Sequence, residues 1–575
     1  MIARLRAPAV PAYALALTLA VTAPLLGPGH LLLRDAVSTP RSYLTDAALG
    51  LSQAAPRALP QDFFVALAST VVDGGVVVKA LLILGLFLAG WGAARLVAVV
   101  LPDAGTAGQC VAVTVAIWNP YVAERLLQGH WSLLVGYGCL PWVAASVLSL
   151  RVSARGGVAA LVFWPALAGL TPTGLLLAVV VAVAAALAPG TGRPRWWCAT
   201  VSLAASLTAA LPWLVASVLG TGWADQDAGL RAGIDAFAAR AEPGLSTLFS
   251  LASLGGIWNS EAVPASRTTL FAVASAVVLL GIVAVGVPRL IRGRTAVPLL
   301  VLAALAVVGP ALMATGPGLA ALEALSRAVP GLGVLRDGQK WVALAMPAYA
   351  LAGAAAVVTL RPRLPALATA TVCCAALIAT LPDLVWGVGG RVAPVRYPPG
   401  WAAAAAVVNA EPAPVAVLPV DSMRRFSWGP DAPVLDPLPR WLRAEVLSTG
   451  DLTVAGHTVL GEGAHARDVQ RMLTAGAGRD ELAAAGVGWV VTEGPVPALP
   501  LPVAYRDDDI AVYAVGGDSA GSPHRPVMIA AHAVWLGQLG LGIGLCLAGL
   551  VIGRLRSRHA HRRDEDEQRP QTGHQ

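Results

Sequence analysis

Long apolar segments, separated by short polar stretches, follow one another along most of this chain. Each is about 20 residues long, which is the length of helix that crosses the hydrocarbon core of a bilayer. The pattern predicts about twelve spans, at about 10–33, 76–100, 107–122, 131–150, two short spans within 157–188, and then 196–219, 268–288, 296–314, 341–360, 364–381 and 527–553. We therefore expect a mainly α-helical, polytopic transmembrane bundle.

The segment 385–524 departs from this pattern and is richer in charged residues, Pro and Gly. Short apolar runs typical of strands lie at 415–418, 487–491 and 510–513, with a helical pattern at 466–485. These features predict a small α/β domain outside the membrane. The chain is thus divided into a transmembrane helical domain (1–384), an α/β domain (385–524), a final span (525–555) and a disordered tail (556–575).

Composition agrees with a membrane protein, because 56% of the residues are hydrophobic and only 13% are charged. The formal charge is +7, and the basic residues form short clusters beside the apolar spans. Such clusters set the orientation of spans, with the basic side cytoplasmic. No interleaving of basic and aromatic residues suggests a nucleic-acid partner. The clusters lie at Arg4/Arg6, Arg151/Arg155, Arg193/Arg195, Arg289/Arg292/Arg294, Arg361/Arg363 and 554–563.

All these clusters fall on one side in a single threading of the chain. That threading predicts a multi-pass membrane protein with both termini cytoplasmic and 385–524 extracytoplasmic. It leaves three further segments outside, at about 34–75, 220–267 and 315–340.

Three polar clusters lie on the predicted outer side. Ionisable groups next to the hydrocarbon are costly and usually face a cavity. The first cluster is Arg34-Asp35, directly after the first span. Asp35 could act as a general base or hold a metal, or it could be an interfacial residue paired with its neighbour.

The second cluster is the run from Trp118 to Trp131, wedged between two apolar segments. Within it, Asn119, Glu124, Arg125 and His130 are candidate site residues. Glu124 and Arg125 could form an ion pair, and His130 could bond a substrate hydroxyl or a phosphate. The alternative is interfacial packing, with the two Trp residues in an aromatic belt.

The third cluster, at the mouth of the span 341–360, contains Arg336, Asp337, Gln339 and Lys340. A guanidinium fork and an ammonium point charge suit a phosphate. Anchoring to lipid headgroups is the alternative. The chain carries no Walker A loop, GxSxG elbow, HExxH or CxxC motif and no metal-ligand spacing, so the sequence assigns no metal ligand and no cofactor.

At Arg34-Asp35, at Asn119-Pro120-Tyr121 with Gly129-His130-Trp131, and at 335–340, the chain resembles actinobacterial polytopic proteins of the GT-C glycosyltransferase class. It is also similar to YfhO-like membrane proteins, whose outer region carries a strand like that at 485–491. The resemblance implies transfer of a sugar from a polyprenyl-phosphate donor to a cell-envelope acceptor outside the membrane. It also implies that Asp35 takes the catalytic acidic position and that a divalent metal could take part.

Many members of that class have two adjacent acidic residues where this chain has Arg34-Asp35. Three hypotheses therefore stand beside each other. The first is a glycosyltransferase with Asp35 or Glu124 as base, cations at Arg125, Arg336 and Lys340, and Trp401, Trp428, Trp441 and Trp489 available for stacking on a glycan or for packing the outer domain. The second is a transporter or flippase of a lipid-linked glycan, and the third is a non-catalytic envelope-assembly protein with the same fold.

Overall fold

The computed structural model describes residues 8–52, 58–152, 157–220, 230–329, 331–454, 457–495, 498–518 and 521–567. Arg4, Arg6, Arg155 and the tail beyond residue 567 lie outside the described residues. The longer helices of the membrane part are Ala9–Thr22, Gly74–Val100, Gly105–Ile117, Trp131–Val152, Val158–Ala168, Pro172–Ala186, Arg195–Leu219, Phe271–Gly293, Val297–Met313, Gly316–Ala328, Met346–Leu360, Ala366–Ala379 and Arg525–Glu567. Short helices between them are Asp46–Leu49, Gln61–Ala68, Pro120–Leu127, Leu230–Ala236, Thr247–Ala252 and Val385–Gly389.

The protein is a mainly helical, multi-pass membrane protein, as the hydrophobic pattern predicts. Within the described residues, seven helices are long and apolar enough to cross a membrane, and nine if each of two bent helix pairs counts as one span. The prediction of twelve spans is not confirmed. The bent pairs are Val297–Met313 with Gly316–Ala328, at 95°, and Ala366–Ala379 with Pro382–Gly389, at 75°.

The predicted span at 107–122 ends early, and the reason lies in its sequence. The helix Gly105–Ile117 is only 13 residues long, and a new helix begins at Pro120. The side chain of Asn119 accepts a hydrogen bond from the backbone N–H of Val122, which is the arrangement of a helix N-cap. Proline is favoured at the first position of a helix and disfavoured in its interior, so the Asn-Pro pair starts a separate helix here.

Two helices form the centre of the bundle. Trp131–Val152 packs along Gly74–Val100, and Met346–Leu360 packs between Gly105–Ile117 and Phe271–Gly293. The crossing of the first pair is close because glycines meet at it. A Cβ on Gly138 would lie 2.2 Å from the carbonyl oxygen of Gly85. Contacts between small residues let helix backbones approach closely in membranes.

The segment 385–524, which we call the outer domain after its predicted position, contains a five-stranded mixed sheet. Its strands lie in the order β11 (Val503–Arg506), β12 (Ile510–Ala514), β10 (Trp489–Glu493), β4 (Val415–Leu418) and β7 (Val446–Leu447). β4, β10 and β12 are the three apolar runs singled out in the sequence, and β10 pairs parallel to β4 and antiparallel to β12. Its helices are Pro399–Ala410, Leu438–Trp441, Ala464–Thr474 and Arg479–Ala484. The strands of the chain are β1 His30–Leu33, β2 Ala36–Val37, β3 Pro394–Val395, β4 Val415–Leu418, β5 Met423–Arg424, β6 Val434–Leu435, β7 Val446–Leu447, β8 Leu452–Val454, β9 His457–Val459, β10 Trp489–Glu493, β11 Val503–Arg506 and β12 Ile510–Ala514.

The two ends of the helix bundle differ in chemistry. At one end, which we call the basic end, Arg151 bonds the carbonyl of Ala188, and Arg289 pairs with Asp103 at 2.9 Å. At the other end, which we call the polar end, the hairpin β1–β2 meets the outer domain through pairing of β1 with β3. The last helix runs from Arg525 at the polar end to Glu567, past residue 556, where the sequence predicts the tail to begin.

Candidate functional site

Arg34 and Asp35 form the two-residue turn of the hairpin β1–β2, in which Leu33 pairs with Ala36. Arg34 has a φ of +50°, in the left-handed region that such tight hairpin turns require. The turn packs directly on Gly129, because a Cβ there would lie 2.3 Å from the carbonyl oxygen of Leu33. This close packing fixes the backbone position of Asp35.

The outer domain holds the same turn from its other side. The backbone N–H of Arg34 donates to the carbonyl of Pro433 at 3.0 Å, and the N–H of Leu435 donates to the carbonyl of Arg34 at 2.9 Å. The Arg34 side chain is buried and donates to the carbonyl of Leu127 at 2.8 Å and to Glu261. Arg34 therefore has a structural task that keeps its charge away from the surface.

Within the described residues, hydrogen bonds reach only one oxygen of the Asp35 carboxylate, Oδ2. His130 Nε2 lies 2.8 Å from Oδ2, and Gln128 Nε2 donates to the same oxygen at 3.1 Å. The Asp35 side chain is 38% exposed, so it faces an open space. Burial acts to raise the pKa of Asp35, but the hydrogen bond from His130 and the nearby charges hold it below the usual value.

Arg125 is the centre of a buried polar network behind Asp35. Its guanidinium donates to both carboxylate oxygens of Asp337, at 3.0 and 3.1 Å, and lies 3.0 Å from His130 Nδ1. It also bonds the side-chain oxygen of Gln339. Against the effect of burial, Arg125 and Lys340 keep the pKa of Asp337 below its ordinary value. Since the pair has almost no contact with solvent, loss of either partner would leave a buried charge and cost about 3–5 kcal/mol.

Glu124 lies at the far side of this network and is completely buried. Its two oxygens accept hydrogen bonds from the N–H of Gly256 at 3.2 Å and from Gln339 Nε2 at 2.8 Å. Burial, and then the neighbouring Glu242, raise the pKa of Glu124 well above the usual value for a glutamate. Such a group is not accessible to an incoming substrate, and its surroundings disfavour the carboxylate form that a general base needs.

Two cations lie near the exposed side of the site. Lys340 Nζ is 3.5 Å from Asp337 Oδ2, its side chain is 26% exposed, and its charge helps to stabilise Asp35 as a carboxylate. The Arg336 guanidinium lies 4.4 Å from the centre of the Phe237 ring, which fixes it by a cation–π contact. The charge of Arg336 acts on that of Lys340, so the two cations lie near each other.

Most residues that the sequence predicts for the site are thus brought together: Arg34, Asp35, Glu124, Arg125, His130, Asp337, Gln339 and Lys340. Asn119 is different, because its side chain caps a helix and bonds the carbonyls of Val115 and Ala116. Trp118 and Trp131 are buried, and Trp118 Nε1 donates to the carbonyl of Leu381 at 2.9 Å. They therefore pack the interior rather than form an aromatic belt.

Several residues of the network were not among the sequence candidates. Gln128 bonds Asp35 and also accepts from Asn259 Nδ2 at 2.8 Å. Arg267 pairs with Glu242, the carboxyl that lies next to Glu124. Gln128 could have been found from its position inside the polar run. Glu242 and Arg267 could not have been found in this way, because nothing in the sequence of the segment 220–267 predicts that these charges are buried.

Among the described residues, the side chains of this site do not form a metal site by themselves. In the part of the chain that the structure describes, no group of three or more His, Cys, Asp or Glu side chains is arranged to hold a metal ion. Asp35 and His130 bond each other rather than converge on a common point. The divalent metal that the family resemblance allows therefore lacks a ligand set among these residues.

Comparison with known proteins gives a likeness in fold. No family model and no curated protein matches the sequence. Among solved structures, the arabinofuranosyltransferase AftD from Mycobacteria matches with a TM-score of 0.50 and 16% identity, over 89% of this chain and 40% of that chain. Two structures of an AftD mutant match with TM-scores of 0.44 and 0.46, at 18% and 17% identity and over 89% of this chain. The chain spans about 40% of the length of that first AftD structure.

The shared part covers both the helix bundle and the outer domain, since it takes in 89% of this chain. The likeness to YfhO-like proteins stays a prediction. The resemblance to membrane glycosyltransferases of the GT-C class that the sequence indicates is confirmed at the level of fold.

Proposed function

We propose that the protein is an integral membrane glycosyltransferase that moves a sugar from a polyprenyl-phosphate donor to a cell-envelope glycan or lipid acceptor on the outer face. The observation that carries this proposal is the setting of Asp35. It is a carboxylate at the tip of a rigid hairpin, partly exposed, held in its charged form, and close to the ammonium group of Lys340. The fold shared with AftD supports the same class of activity.

In the proposed reaction, Asp35 accepts the proton of the acceptor hydroxyl as that oxygen attacks the anomeric carbon of the donor sugar. The new bond joins the acceptor oxygen to this carbon, and the bond from the carbon to the phosphate oxygen breaks. The electron pair of the broken bond stays on the phosphate, which leaves as polyprenyl phosphate. A general base in this position contributes a factor of about 10²–10⁴ to the rate.

The leaving phosphate gains negative charge, and fixed cations near it lower the barrier. Lys340 and Arg336 supply these charges in our proposal, and the charge of Lys340 also acts on Asp35. Arg125 is excluded from direct contact with the donor, because its side chain has no exposed surface and is bonded to Asp337. This assigns the sequence candidate Arg125 to support of the site rather than to phosphate binding.

The polar end belongs on the outside in this proposal. The basic clusters lie at the opposite end of the same helices, as seen for Arg151 at the end of Trp131–Val152 and Arg289 near the end of Phe271–Gly293. The excess of Arg on one side marks it as cytoplasmic. A polyprenyl-phosphate sugar is then reached from the outer leaflet, beside the outer domain.

The test is transfer of label from radiolabelled polyprenyl-phosphate sugars to a glycan acceptor by purified protein in lipid nanodiscs. Lys340→Gln is expected to raise the donor KM by about tenfold, since it removes a full charge from the phosphate site. Arg425→Gln is the matched control, because Arg425 is a cation on the outer domain with 61% of its side chain exposed. It is expected to leave KM unchanged.

Two outcomes would contradict the proposal. In sealed proteoliposomes of the same protein, movement of the labelled lipid between leaflets without transfer of sugar would identify a flippase. Binding of the donor without either reaction would identify a non-catalytic protein of the same fold.

A further inference from the structure

We propose that Arg125 is a positioning residue that locks His130 into the tautomer with hydrogen on Nε2, so that His130 can only donate to Asp35. This inference rests on the proposed function of Asp35 as base. It concerns two residues that touch no substrate in that proposal. In it, the buried Arg125–Asp337 pair keeps His130 as a hydrogen-bond donor to the base Asp35.

The hydrogen-bond geometry carries the argument. A guanidinium has donors only and no acceptor, so the nitrogen that it contacts must accept. Arg125 Nη1 lies 3.0 Å from His130 Nδ1, and Nδ1 therefore carries no hydrogen. The single hydrogen of the neutral ring is then on Nε2, which lies 2.8 Å from Asp35 Oδ2. Asp35 receives a donor on Oδ2 and keeps Oδ1 for the acceptor hydroxyl.

Arg125 can impose this choice because it is itself fixed. Both of its terminal nitrogens are bonded to Asp337, and one also bonds Gln339. Its side chain has no exposed surface, so no water competes for the guanidinium. Asp337 is distant from Arg125 in sequence and lies on the same segment as Lys340. The Arg125–Asp337 pair therefore connects His130 and Asp35 to the segment that we propose contacts the donor phosphate.

The lock also keeps His130 neutral. Burial lowers the pKa of His130 below its ordinary value, Asp35 acts in the opposite direction, and Arg125 and Lys340 lower it further. The groups that face or influence the imidazole are Asp35, Gln128, Arg125, Asp337 and Lys340. When Arg125 is replaced by a neutral residue, His130 Nδ1 becomes free to take a proton. A doubly protonated ring would form an ion pair with Asp35 and weaken it as a base.

The first test needs no activity and no change at Arg125. Solid-state NMR of wild-type protein with ¹⁵N-labelled histidine distinguishes a protonated ring nitrogen from an unprotonated one. The His130 signals are identified by their absence from the His130→Gln spectrum. The expected result at neutral pH is an unprotonated Nδ1 and a protonated Nε2. A protonated Nδ1, with or without a proton on Nε2, would overturn the lock whether or not the protein transfers sugar.

The second test follows kcat as a function of pH in the double variant Arg125→Gln/Asp337→Asn. Removing both charges together avoids an unpaired buried ion. The acidic limb of the profile is expected to move up by about one pH unit or more, towards the ordinary pKa of histidine, while donor KM changes by less than about threefold. Adding His130→Gln, which keeps an N–H donor but cannot titrate, is expected to abolish the shift.

An unmoved acidic limb in the double variant, or a shift that persists without His130, would contradict the inference. Each of these results requires measurable transfer, so they are distinct from failure of the proposed function, in which wild-type protein transfers nothing. Failure of the double variant to fold would leave the NMR experiment as the deciding one.

Discussion

At the scale of single residues, two carboxyl groups of the same site have opposite properties because their surroundings differ. Asp35 is partly exposed and keeps a low pKa through its bonds to His130 and Gln128. Glu124 is completely buried beside Glu242 and has a high pKa. Environment rather than residue type thus decides which of the two sequence candidates can act as base.

The first prediction separates these two carboxyls. Because burial and the neighbouring Glu242 favour the neutral form of Glu124, Glu124→Gln keeps its shape and is expected to reduce kcat by less than about fivefold. The assay is sugar transfer at neutral pH, with unfolding temperature as the check on stability. A loss of about 10² or more in a stably folded Glu124→Gln protein would show that Glu124, not Asp35, carries the proton.

The sequence predicts which residues form the site better than it predicts the role of each residue. Polar residues inside apolar sequence stand out, and that is why Asp35, His130 and the segment 336–340 could be named. The sequence could not show that Arg125 is buried against Asp337, because the two are more than 200 positions apart and are joined only by the fold. Nor could it reveal the pairing of Glu242 with Arg267, because nothing in the segment 220–267 predicts that these charges are buried.

At the scale of elements, the structure agrees with the hydrophobic pattern where an apolar segment is uninterrupted, and departs from it where a helix break lies within the segment. Gly74–Val100 and Arg195–Leu219 begin and end close to their predicted limits. The segment 107–122 is not a single helix, because its apolar pattern runs past Asn119-Pro120, where Asn119 caps a second helix. Hydrophobic periodicity measures burial, and it does not detect a break between two buried helices.

The second prediction concerns the closest helix crossing. Gly138→Ala places a methyl group 2.2 Å from the carbonyl of Gly85, so the helices must move apart. Overpacking of this kind costs about 1–3 kcal/mol and is expected to lower the unfolding temperature. Gly281→Ala is the matched control, because a Cβ there meets nothing within 4 Å.

The measurement is thermal unfolding of both variants in the same detergent or nanodisc. Gly281→Ala is expected to unfold within a degree or two of wild type. Equal unfolding temperatures for the two glycine variants would mean that the helices are not in close contact at Gly138.

At the scale of the whole molecule, the protein joins a helix bundle to an outer domain at the position of its proposed base. Pro433 and Leu435 of the outer domain bond the backbone of Arg34, while Gly129 of the bundle packs under the same turn. The turn that carries Asp35 is therefore held between the two parts. The basic end lies at the opposite end of the helix bundle, and the positive-inside rule predicts that it faces the cytoplasm.

The third prediction tests that direction by cysteine labelling in intact cells. Asp431 is fully exposed on the outer domain, and Arg292 is exposed at the basic end. A membrane-impermeant maleimide is expected to label Asp431→Cys from outside and Arg292→Cys only after the membrane is permeabilised. Wild-type protein, whose six cysteines are free, is the control for background labelling. The reverse pattern would place the site on the cytoplasmic side.

The central claim is that Asp35 is the base of a sugar transfer, and the most direct test is its rate. Single-turnover transfer from a labelled polyprenyl-phosphate sugar is compared for wild-type, Asp35→Asn and Asp431→Asn proteins of equal stability. We predict that Asp35→Asn slows the step by about 10²–10⁴, whereas Asp431→Asn, a change on an exposed carboxylate, has no effect. Equal transfer rates for wild-type and Asp35→Asn protein would contradict the account.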